Sequence, residues 1–417
     1  MFPVAYRWQL LGVLFCAIAL NYADRTSISV VFPLLRGELN LSDVALGGIG
    51  SAFLWAYAAG SPWGGVLADR WPRGRVILIS LTAWSAVTLL TGLAGRYWHL
   101  IGMRALLGLA ECMYLPAATA MIADHHGTAT RGTAMGLHSA GLNLGLIAGG
   151  VATGYLGDHY GWRPGFFVLG GLGLVLALLG RRLLLRPACR GAERAAAPAR
   201  RPLSALPRDL RALAGIPSFW IVAGKAMLSA VGIWIFLNWL PLYFRETYQM
   251  SLAGSGFSGT FSLQIAATAG VLLGGWISDR CAARDRRYRM LLHGFCYLAA
   301  APFLLVFLGR AGVMAVSTCV FGFSLFRGLG QANENPLFCD VVPAPLRSTA
   351  LGVSNFLNTF SGGLGVLLAG VLKRRLGLGG VFAGITVLML AGAALLLAGY
   401  RFFLGRDLAR RDSIRLG

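Results

Sequence analysis

Long apolar stretches, separated by short polar connections, recur along nearly the whole chain. An α-helix of about 20 apolar residues crosses a bilayer core, and about a dozen stretches reach that length. The period-two alternation of a membrane β-barrel is not seen. The pattern predicts an all-α membrane protein with twelve transmembrane helices. We expect them at residues 8–32, 43–68, 75–95, 98–122, 130–156, 163–185, 216–244, 255–278, 288–308, 312–338, 347–372 and 378–402.

The apolar pattern also repeats between the two halves of the chain. Segment 64–70, GGVLADR, is echoed 210 positions later by 274–280, GGWISDR. Segment 131–136, RGTAMG, is echoed 216 positions later by 347–352, RSTALG. Secondary transporters are commonly built from such repeats. We therefore expect two pseudo-symmetric six-helix bundles joined by a linker. The predicted parts are an N-terminal bundle at 1–185, a cytoplasmic linker at 186–213, a C-terminal bundle at 214–403 and a basic cytoplasmic tail at 404–417.

The composition fits a protein that lies mostly in lipid. The chain has 417 residues, of which 56% are hydrophobic and 13% charged, against about 25% charged in an average soluble domain. The net charge of +21 comes from arginines in the connections and near the chain ends. The positive-inside rule then places both termini in the cytoplasm, and no nucleic-acid partner is implied. Lys373, Arg374 and Arg375 depart from the rule, since they lie on the predicted outer face.

Several chemistries are disfavoured by missing motifs. The seven cysteines are scattered, and no ATP-binding P-loop, H-E-x-x-H or G-x-S-x-G motif is present. The run Asp124-His125-His126 lacks convincing further ligands. We therefore expect no enzyme, no metal and no cofactor, and energy for transport from an ion gradient or from the solute. The predominance of arginine over lysine is typical of a GC-rich genome, which points to a bacterial inner membrane.

Ionisable residues inside the predicted helices are the main candidates for function, because a charge near the bilayer centre costs roughly 2.5–3.5 kcal/mol on insertion scales. Asp24 and Arg25 lie in the first segment. Arg104 and Glu111 lie seven residues apart in the fourth, on one helical face. The tenth segment repeats that spacing with Arg327 and Glu334, which we interpret as the second copy of the same element.

Structural alternatives stay open for each of these charges. Asp24 and Glu111 could be permanent ion-pair partners, and Arg25 and Arg104 could be plain counter-ions. Arg327 could simply pair with Glu334 or with a carbonyl. Lys225, about nine residues into the seventh segment, is interpreted as a structural residue that snorkels. His138 is also given a structural role. Glycines at mostly four-residue spacing in segment 5 are interpreted as a helix-packing surface; they are Gly141, Gly145, Gly149, Gly150 and Gly154.

One motif resembles a known superfamily. The segment 64–75, GGVLADRWPRGR, resembles the G-x-x-x-D-R-x-x-R-R loop of the major facilitator superfamily. The resemblance implies alternating access between two six-helix bundles, with charged clusters that latch a cytoplasmic gate. The gating residues it implies are Gly65, Asp69, Arg70, Arg73, Arg75, Arg131, Asp279, Arg280 and Arg347.

Four further segments narrow the resemblance to one family. They are 21–25 (NYADR), 108–111 (GLAE), 115–116 (LP) and 238–243 (NWLPLY), and together they resemble the anion:cation symporters. That resemblance implies a proton-coupled secondary active transporter of a small organic anion, a sugar acid or other carboxylate. Asp24 and Glu111 would carry protons. The substrate-binding residues we expect are Tyr22, Arg25, Arg104, Asn238, Trp239 and Arg327.

A second substrate class remains open. Cys112, Met113 and Tyr114 stand where sugar-acid carriers usually have smaller or polar residues. Similar N-Y-x-D-R and G-x-x-E elements occur in Spinster-type carriers, so the alternative is transport of a lysophospholipid or another amphipathic lipid. A less favoured alternative is a receptor with the same fold that does not transport. The expected partners are the solute, protons and membrane lipids, and we expect a monomer.

Overall fold

The computed structural model describes residues 4–186, 206–343 and 346–409, and every regular element in those ranges is a helix. The first eight are α1 Val4–Val30, α2 Phe32–Leu39, α3 Asp43–Arg70, α4 Arg73–Thr91, α5 Tyr97–Glu111, α6 Tyr114–His125, α7 Thr128–Tyr160 and α8 Arg163–Leu184. They are followed by α9 Leu206–Ala214, α10 Pro217–Tyr248, α11 Leu252–Arg284, α12 Tyr288–Ala300 with a 3-10 helix at Ala301–Leu308, α13 Val313–Gln331, α14 Glu334–Val341 and α15 Arg347–Phe402. Most of the predicted linker, 187–205, and the end of the predicted tail, 410–417, lie outside the described residues.

Ten spans within the described ranges are long and apolar enough to cross a membrane. One of them, α15, has 56 residues, or roughly 84 Å at 1.5 Å per residue, against a core of about 30 Å. Gly377 interrupts it with φ 65° and ψ 170°, a conformation that is essentially restricted to glycine. The helix α1, which carries Asp24 and Arg25, is not among the ten. The all-helical membrane architecture is confirmed, while the count of twelve helices stays a prediction.

The chain divides into two compact units. Unit 1 comprises Met1–Arg200 with Leu237–Thr260, and unit 2 comprises Arg201–Phe236 with Phe261–Gly417. The end of α10 and the start of α11 thus belong to unit 1. In unit 1, α1 packs on α7, α4 on α8 and α3 on α5; in unit 2, α12 packs on α13 and α15.

Glycines bring α7 close to α1. A Cβ added at Gly141 would lie 2.8 Å from Ile18, and one at Gly145 would lie 2.8 Å from the Ala19 Cα. Such distances are shorter than ordinary van der Waals contact. These glycines allow the helix backbones to approach one another, as expected from their spacing, and the approach fixes the part of α1 that leads to Asp24.

Candidate functional site

Asp24 and Arg25 are adjacent in the chain but have different partners. The Arg25 Nε lies 2.9 Å from the Glu111 Oε2 on α5, whereas the Asp24 Oδ2 accepts a hydrogen bond of 3.0 Å from the Thr88 hydroxyl on α4. Consecutive residues of a helix point about 100° apart, so each side chain meets a different neighbouring helix. Asp24, Arg25 and Glu111 are nonetheless brought together in unit 1, as predicted.

Aromatic rings surround the Arg25 guanidinium. Its central carbon lies 4.4 Å from the ring centre of Tyr22, 5.0 Å from that of Phe53 and 4.9 Å from that of Tyr57. Cations are attracted to ring faces at such distances. Tyr22, one of the predicted substrate-binding residues, therefore helps to hold Arg25.

Arg104 joins Asp24, Arg25 and Glu111 to form a cluster of four charged residues, and it is 3% exposed. Its guanidinium lies 4.8 Å from the Phe53 ring centre. Three buried atoms of the cluster have no hydrogen-bond partner among the described residues: Arg104 Nε, Asp24 Oδ1 and Glu111 Oε1. An unsatisfied buried polar atom costs about 1–3 kcal/mol. The cluster of two carboxyls and two guanidiniums thus has free capacity to bind a proton or a polar group of a solute.

The charges of unit 2 are paired differently from our expectation. Glu334 accepts from the Lys225 Nζ at 2.7 Å, and Arg327 instead donates through Nη1 to the Gln331 Oε1 at 2.8 Å. The Lys225 side chain is completely buried and lies 4.6 Å from the ring centre of Tyr297. The alternative that Arg327 pairs with Glu334 and the interpretation of Lys225 as a snorkelling residue were both wrong, because α14 places Glu334 beside Lys225.

Helix breaks explain why the two copies were misaligned. Helix α5 ends at Glu111 and α13 ends at Gln331, and in each case two residues separate it from the next helix. By this criterion Gln331, and not Glu334, occupies the position of Glu111. The equivalence we inferred from the seven-residue spacing is therefore wrong by three residues. Pro116 and Pro336, each five residues after a helix end, were the signal that could have given the correct alignment.

Two similar arginine clusters lie at the ends of helices in the two units. In unit 1, Arg73 pairs with Asp124, and Arg131 donates to the carbonyl oxygens of Ala123 and His126, both at 3.3 Å. These contacts involve two of the predicted gating residues. Helix-terminal carbonyls lack intrahelical partners, so Arg131 satisfies the end of α6.

Unit 2 repeats this arrangement 216 positions later. Arg289 lies 2.8 Å from Asp340 and 3.1 Å from Asp279, and Arg347 donates to the carbonyls of Cys339 at 2.8 Å and Val342 at 3.4 Å. Arg289 was not among the predicted gating residues. The offset that relates Asp124 to Asp340 also relates Arg73 to Arg289, and applying it would have found the residue.

The other predicted gating residues contribute less to these clusters. Arg75 is exposed, and Arg280 lies 3.6 Å over the Trp276 ring. The surroundings of Gly65 and the side chains of Asp69 and Arg70 are outside the described part of the structure.

The histidines have ordinary protein partners. His125 Nδ1 lies 2.8 Å from the Met121 carbonyl, and His126 Nδ1 lies 3.3 Å from the Thr130 hydroxyl. His138 Nε2 lies 3.2 Å from the Tyr114 hydroxyl. Within the described ranges, no cluster of His, Cys, Asp and Glu could hold a metal ion.

A polar cluster at the opposite ends of the unit 1 helices was also missed. Arg36 pairs with Asp43 and lies 2.7 Å from Glu246. The Asp158 carboxylate accepts from the backbone N–H groups of Leu252 at 3.0 Å and Ala253 at 3.1 Å, as an N-cap does. The structure extends helices over these charges, whereas Arg36, Asp158 and Glu246 fall between the predicted segments, where sequence alone does not distinguish a gate from a solvated loop.

The predicted substrate residues Asn238 and Trp239 are also part of unit 1. Both are buried, and the Trp239 ring centre lies 5.7 Å from that of Phe32 on α2. Arg327, the remaining predicted substrate residue, belongs to unit 2.

Comparison with known proteins now identifies the family. The family model of the Major Facilitator Superfamily matches residues 14–366. The chain belongs to the major facilitator superfamily. This confirms the resemblance inferred from the loop motif, and it makes the chain a membrane transporter and not an enzyme.

Relatives of this major facilitator protein include carriers of organic anions. It is 29% identical over 98% of its length to an MFS-type efflux pump of Mycolicibacterium smegmatis, 94% of which is covered. It is 25% identical over 94% of its length to a D-galactonate transporter of Escherichia coli, with 95% of that protein covered.

The fold of the transporter is also found in a solved structure. A bacterial homologue of the human lysosomal transporter Spinster, in an inward-facing and unoccupied conformation, aligns with a TM-score of 0.77 at 22% identity. The alignment covers 98% of this chain and 99% of the other. At this level of identity the likeness shows the fold alone.

Proposed function

We propose that this transporter moves a small organic anion by alternating access, coupled to protons through Asp24 and Glu111. One observation carries the proposal: Glu111 holds Arg25, while the neighbouring carboxyl of Asp24 has a hydroxyl group as its hydrogen-bond donor. Asp24 is adjacent to Arg25 in the chain, and Glu111 is in contact with it. Either carboxyl can therefore act as the counter-charge of Arg25 when the other one gains a proton.

The proposed cycle follows from that arrangement. The Asp24 carboxyl, which accepts from a hydroxyl group, takes up the proton and exchanges it with Glu111. Protonated Glu111 no longer holds Arg25, which then becomes able to bind a carboxylate of the solute through charge-assisted hydrogen bonds. Arg104, whose Nε lacks a partner among the described residues, supplies a second cation. Loss of the proton on the other side of the membrane restores the Arg25–Glu111 pair and displaces the solute.

The remaining parts of the proposal come from the family resemblance. Asn238, Trp239 and Arg327 would contact the solute, and the arginine clusters at the helix ends would latch the gate. We further propose twelve transmembrane helices, cytoplasmic termini, a monomeric state and a bacterial inner membrane. The D-galactonate transporter among the relatives makes a sugar acid the first solute to test.

Uptake into proteoliposomes tests the substrate class. We expect the wild-type protein to accumulate D-galactonate in preference to the uncharged polyol galactitol. Arg104→Gln should reduce uptake of the anion at least tenfold, because a hydrogen bond to a charged group contributes about 1.5–3 kcal/mol. Arg75→Gln, which removes an exposed arginine, serves as the matched control.

Two results of the uptake experiment would contradict this proposal. Uptake of galactitol that equals uptake of galactonate would remove the role of the anion. Exchange of a labelled lysophospholipid between leaflets, without transport of galactonate, would favour the lipid carrier. Because one relative is an efflux pump, the gradient is applied in both directions, which also gives the direction of net transport.

A further inference from the structure

Unit 2 contains a buried charged cluster that the proposed proton site does not use. Lys225 on α10 and Arg327 on α13 are the cations, and Glu334 on α14 is the carboxylate. Lys225 is fully buried, and Arg327 is 6% exposed. Glu334 forms its ion pair with Lys225 and also interacts electrostatically with Arg327. One carboxylate thus faces two cations, whereas the cluster of unit 1 has two of each. A buried charge without a counter-charge is costly, so the excess positive charge needs an explanation.

The hydrogen bonds of Arg327 show where a counter-charge would bind. Nη1 donates to the neutral amide oxygen of Gln331, and Nε has no partner among the described residues. The Nε–Nη2 edge of a guanidinium presents two parallel N–H groups, and their spacing matches the two oxygens of a carboxylate. The amide of Gln331 fixes the opposite edge and so orients this one.

The helix break identifies what is missing at this position. Gln331 ends α13 as Glu111 ends α5. In unit 1 the carboxylate of Glu111 neutralises the arginine that donates to it. In unit 2 the corresponding side chain is an amide, which accepts a hydrogen bond from Arg327 but carries no charge. At this position unit 2 therefore has no carboxylate that corresponds to Glu111.

Glu334 is the accessible member of the neighbouring ion pair. Its side chain is 18% exposed, whereas the Lys225 side chain has no exposed surface. Lys225 is also held by the face of Tyr297, and the Tyr297 hydroxyl lies 2.7 Å from the Ser229 hydroxyl. An anion that reaches Arg327 therefore meets the negative charge of Glu334 as its competitor.

We propose that Arg327 is an anion-binding site within unit 2, where a carboxylate or sulfonate group of the solute binds to the Nε–Nη2 edge in competition with Glu334. The inference rests on the proposed function in that the bound anion is the transported solute. The inference adds two assignments to that function. Gln331 is the residue that leaves the anion site open, and Glu334 is the residue that weakens anion binding there.

The decisive variant is Gln331→Glu. It is nearly isosteric, and it gives Arg327 the carboxylate that Glu111 gives to Arg25. We expect it to lower the affinity for D-galactonate at least tenfold while leaving thermal stability equal or higher. Arg327→Gln should lower the affinity by a similar factor, and Arg327→Lys, which keeps the charge but loses the planar edge, by less.

Glu334→Gln provides a change in the opposite direction. With the competing charge removed, we expect D-galactonate to bind about threefold more tightly or better. A residue that only supports packing would not improve binding when altered. Arg310→Gln, which removes an exposed arginine of the same unit, is the matched control and should bind as the wild type does.

Calorimetric titration of the purified full-length protein with D-galactonate, acetate and methanesulfonate measures these affinities, with galactitol as the uncharged probe and thermal unfolding as the check on folding. Wild-type affinity for the anions in both Gln331→Glu and Arg327→Gln would overturn the inference. Equal losses for galactonate and galactitol would also overturn it. If these variants bind normally while Arg104→Gln does not, the inference fails together with the solute contact proposed for Arg327, and proton-coupled transport of the anion through unit 1 stands. If the wild type binds none of the anions, both fail.

Discussion

Arg25 and Glu111 form an ion pair that is almost completely removed from water. The two side chains are 9% and 0% exposed. Desolvating two charges is costly, and removing one partner of a buried pair leaves the other charge without compensation. At the scale of single residues, replacing one partner of the pair should therefore cost more stability than replacing both.

We expect Glu111→Gln to destabilise the protein by about 3–5 kcal/mol, the usual cost of removing one partner of a buried pair. The double variant Arg25→Gln/Glu111→Gln should be less destabilised, since no charge remains unpaired. Thermal unfolding in detergent measures both, with Arg75→Gln as an exposed control. A double variant that is no more stable than Glu111→Gln would argue against a compensating pair.

A second residue-scale prediction concerns pH and Glu38, which lies outside the candidate spans. A hydrogen bond from Arg163 lowers the pKa of Glu38 below its ordinary value of 4.5; partial burial opposes this, and the Trp162 N–H supports it. A lowered pKa gives stability that is present above the ordinary value and is lost as pH falls through the folded value. Because the Glu38 side chain is 42% exposed, the contribution should be below about 1 kcal/mol.

Glu38→Gln should therefore melt slightly below the wild type at neutral pH. The difference should shrink in acid, as the pH falls below the ordinary value of 4.5 and through the lowered folded value, because the carboxylate becomes protonated in both the unfolded and the folded chain. Thermal unfolding at neutral and at acidic pH makes the comparison. A difference that persists unchanged in acid would contradict the assigned ion pair.

Sequence reasoning found the ionisable residues of the site but not their partners. Asp24, Arg25, Arg104 and Glu111 stand out because charges are rare in apolar segments. Which charge meets which depends on helix rotation and register, and these are set by packing between segments far apart in sequence. The snorkelling expected of Lys225 was wrong for the same reason, since its side chain is fully buried beside Glu334.

At the scale of helices, small residues on α7 decide how closely it approaches α1. The spacing of the glycines predicted this role, because residues four apart share a helical face. The chain positions of the helix breaks were not predicted from sequence. The helix ends pair Glu111 with Gln331, whereas the spacing of the charges paired Glu111 with Glu334, three residues further on. The pattern of charges alone therefore aligned the two halves incorrectly.

The close approach of α7 and α1 can be tested with a single methyl group. A Cβ at Gly145 would lie 2.8 Å from the Ala19 Cα, so Gly145→Ala should cost about 1–3 kcal/mol through overpacking. Gly136→Ala on the same helix has nothing within 4 Å of the added Cβ, and it should be neutral or stabilising by up to about 1 kcal/mol. Thermal unfolding of both variants gives the comparison, and equal stabilities would contradict the packing.

At the scale of the whole molecule, the two units carry the same arginine cluster at an offset of 216 residues. Arg73 with Asp124 and Arg289 with Asp340 are corresponding pairs. Sequence periodicity predicted the fold class and the duplication, because apolar length and repetition are properties of the chain itself. It did not predict Arg289, since the connection before that residue is longer than its counterpart in the first half.

Corresponding clusters should have corresponding roles in transport. We expect Arg73→Gln and Arg289→Gln to reduce the initial rate of galactonate uptake to a similar extent, by at least about twofold, as expected for coupling energies of 0.5–2 kcal/mol. Arg75→Gln and Arg280→Gln should have little effect. A normal rate in Arg289→Gln together with a strong loss in Arg73→Gln would show that the clusters are not equivalent.

The central claim is that Asp24 couples the transported anion to protons, and one measurement tests it most directly. Proteoliposomes containing wild-type protein or Asp24→Asn are given an inward proton gradient and labelled D-galactonate, and accumulation is compared with exchange at equal pH. We predict that the wild type accumulates the label above equilibrium, and that Asp24→Asn exchanges it without accumulating it. Concentrative uptake by Asp24→Asn at the wild-type level would contradict the role of Asp24.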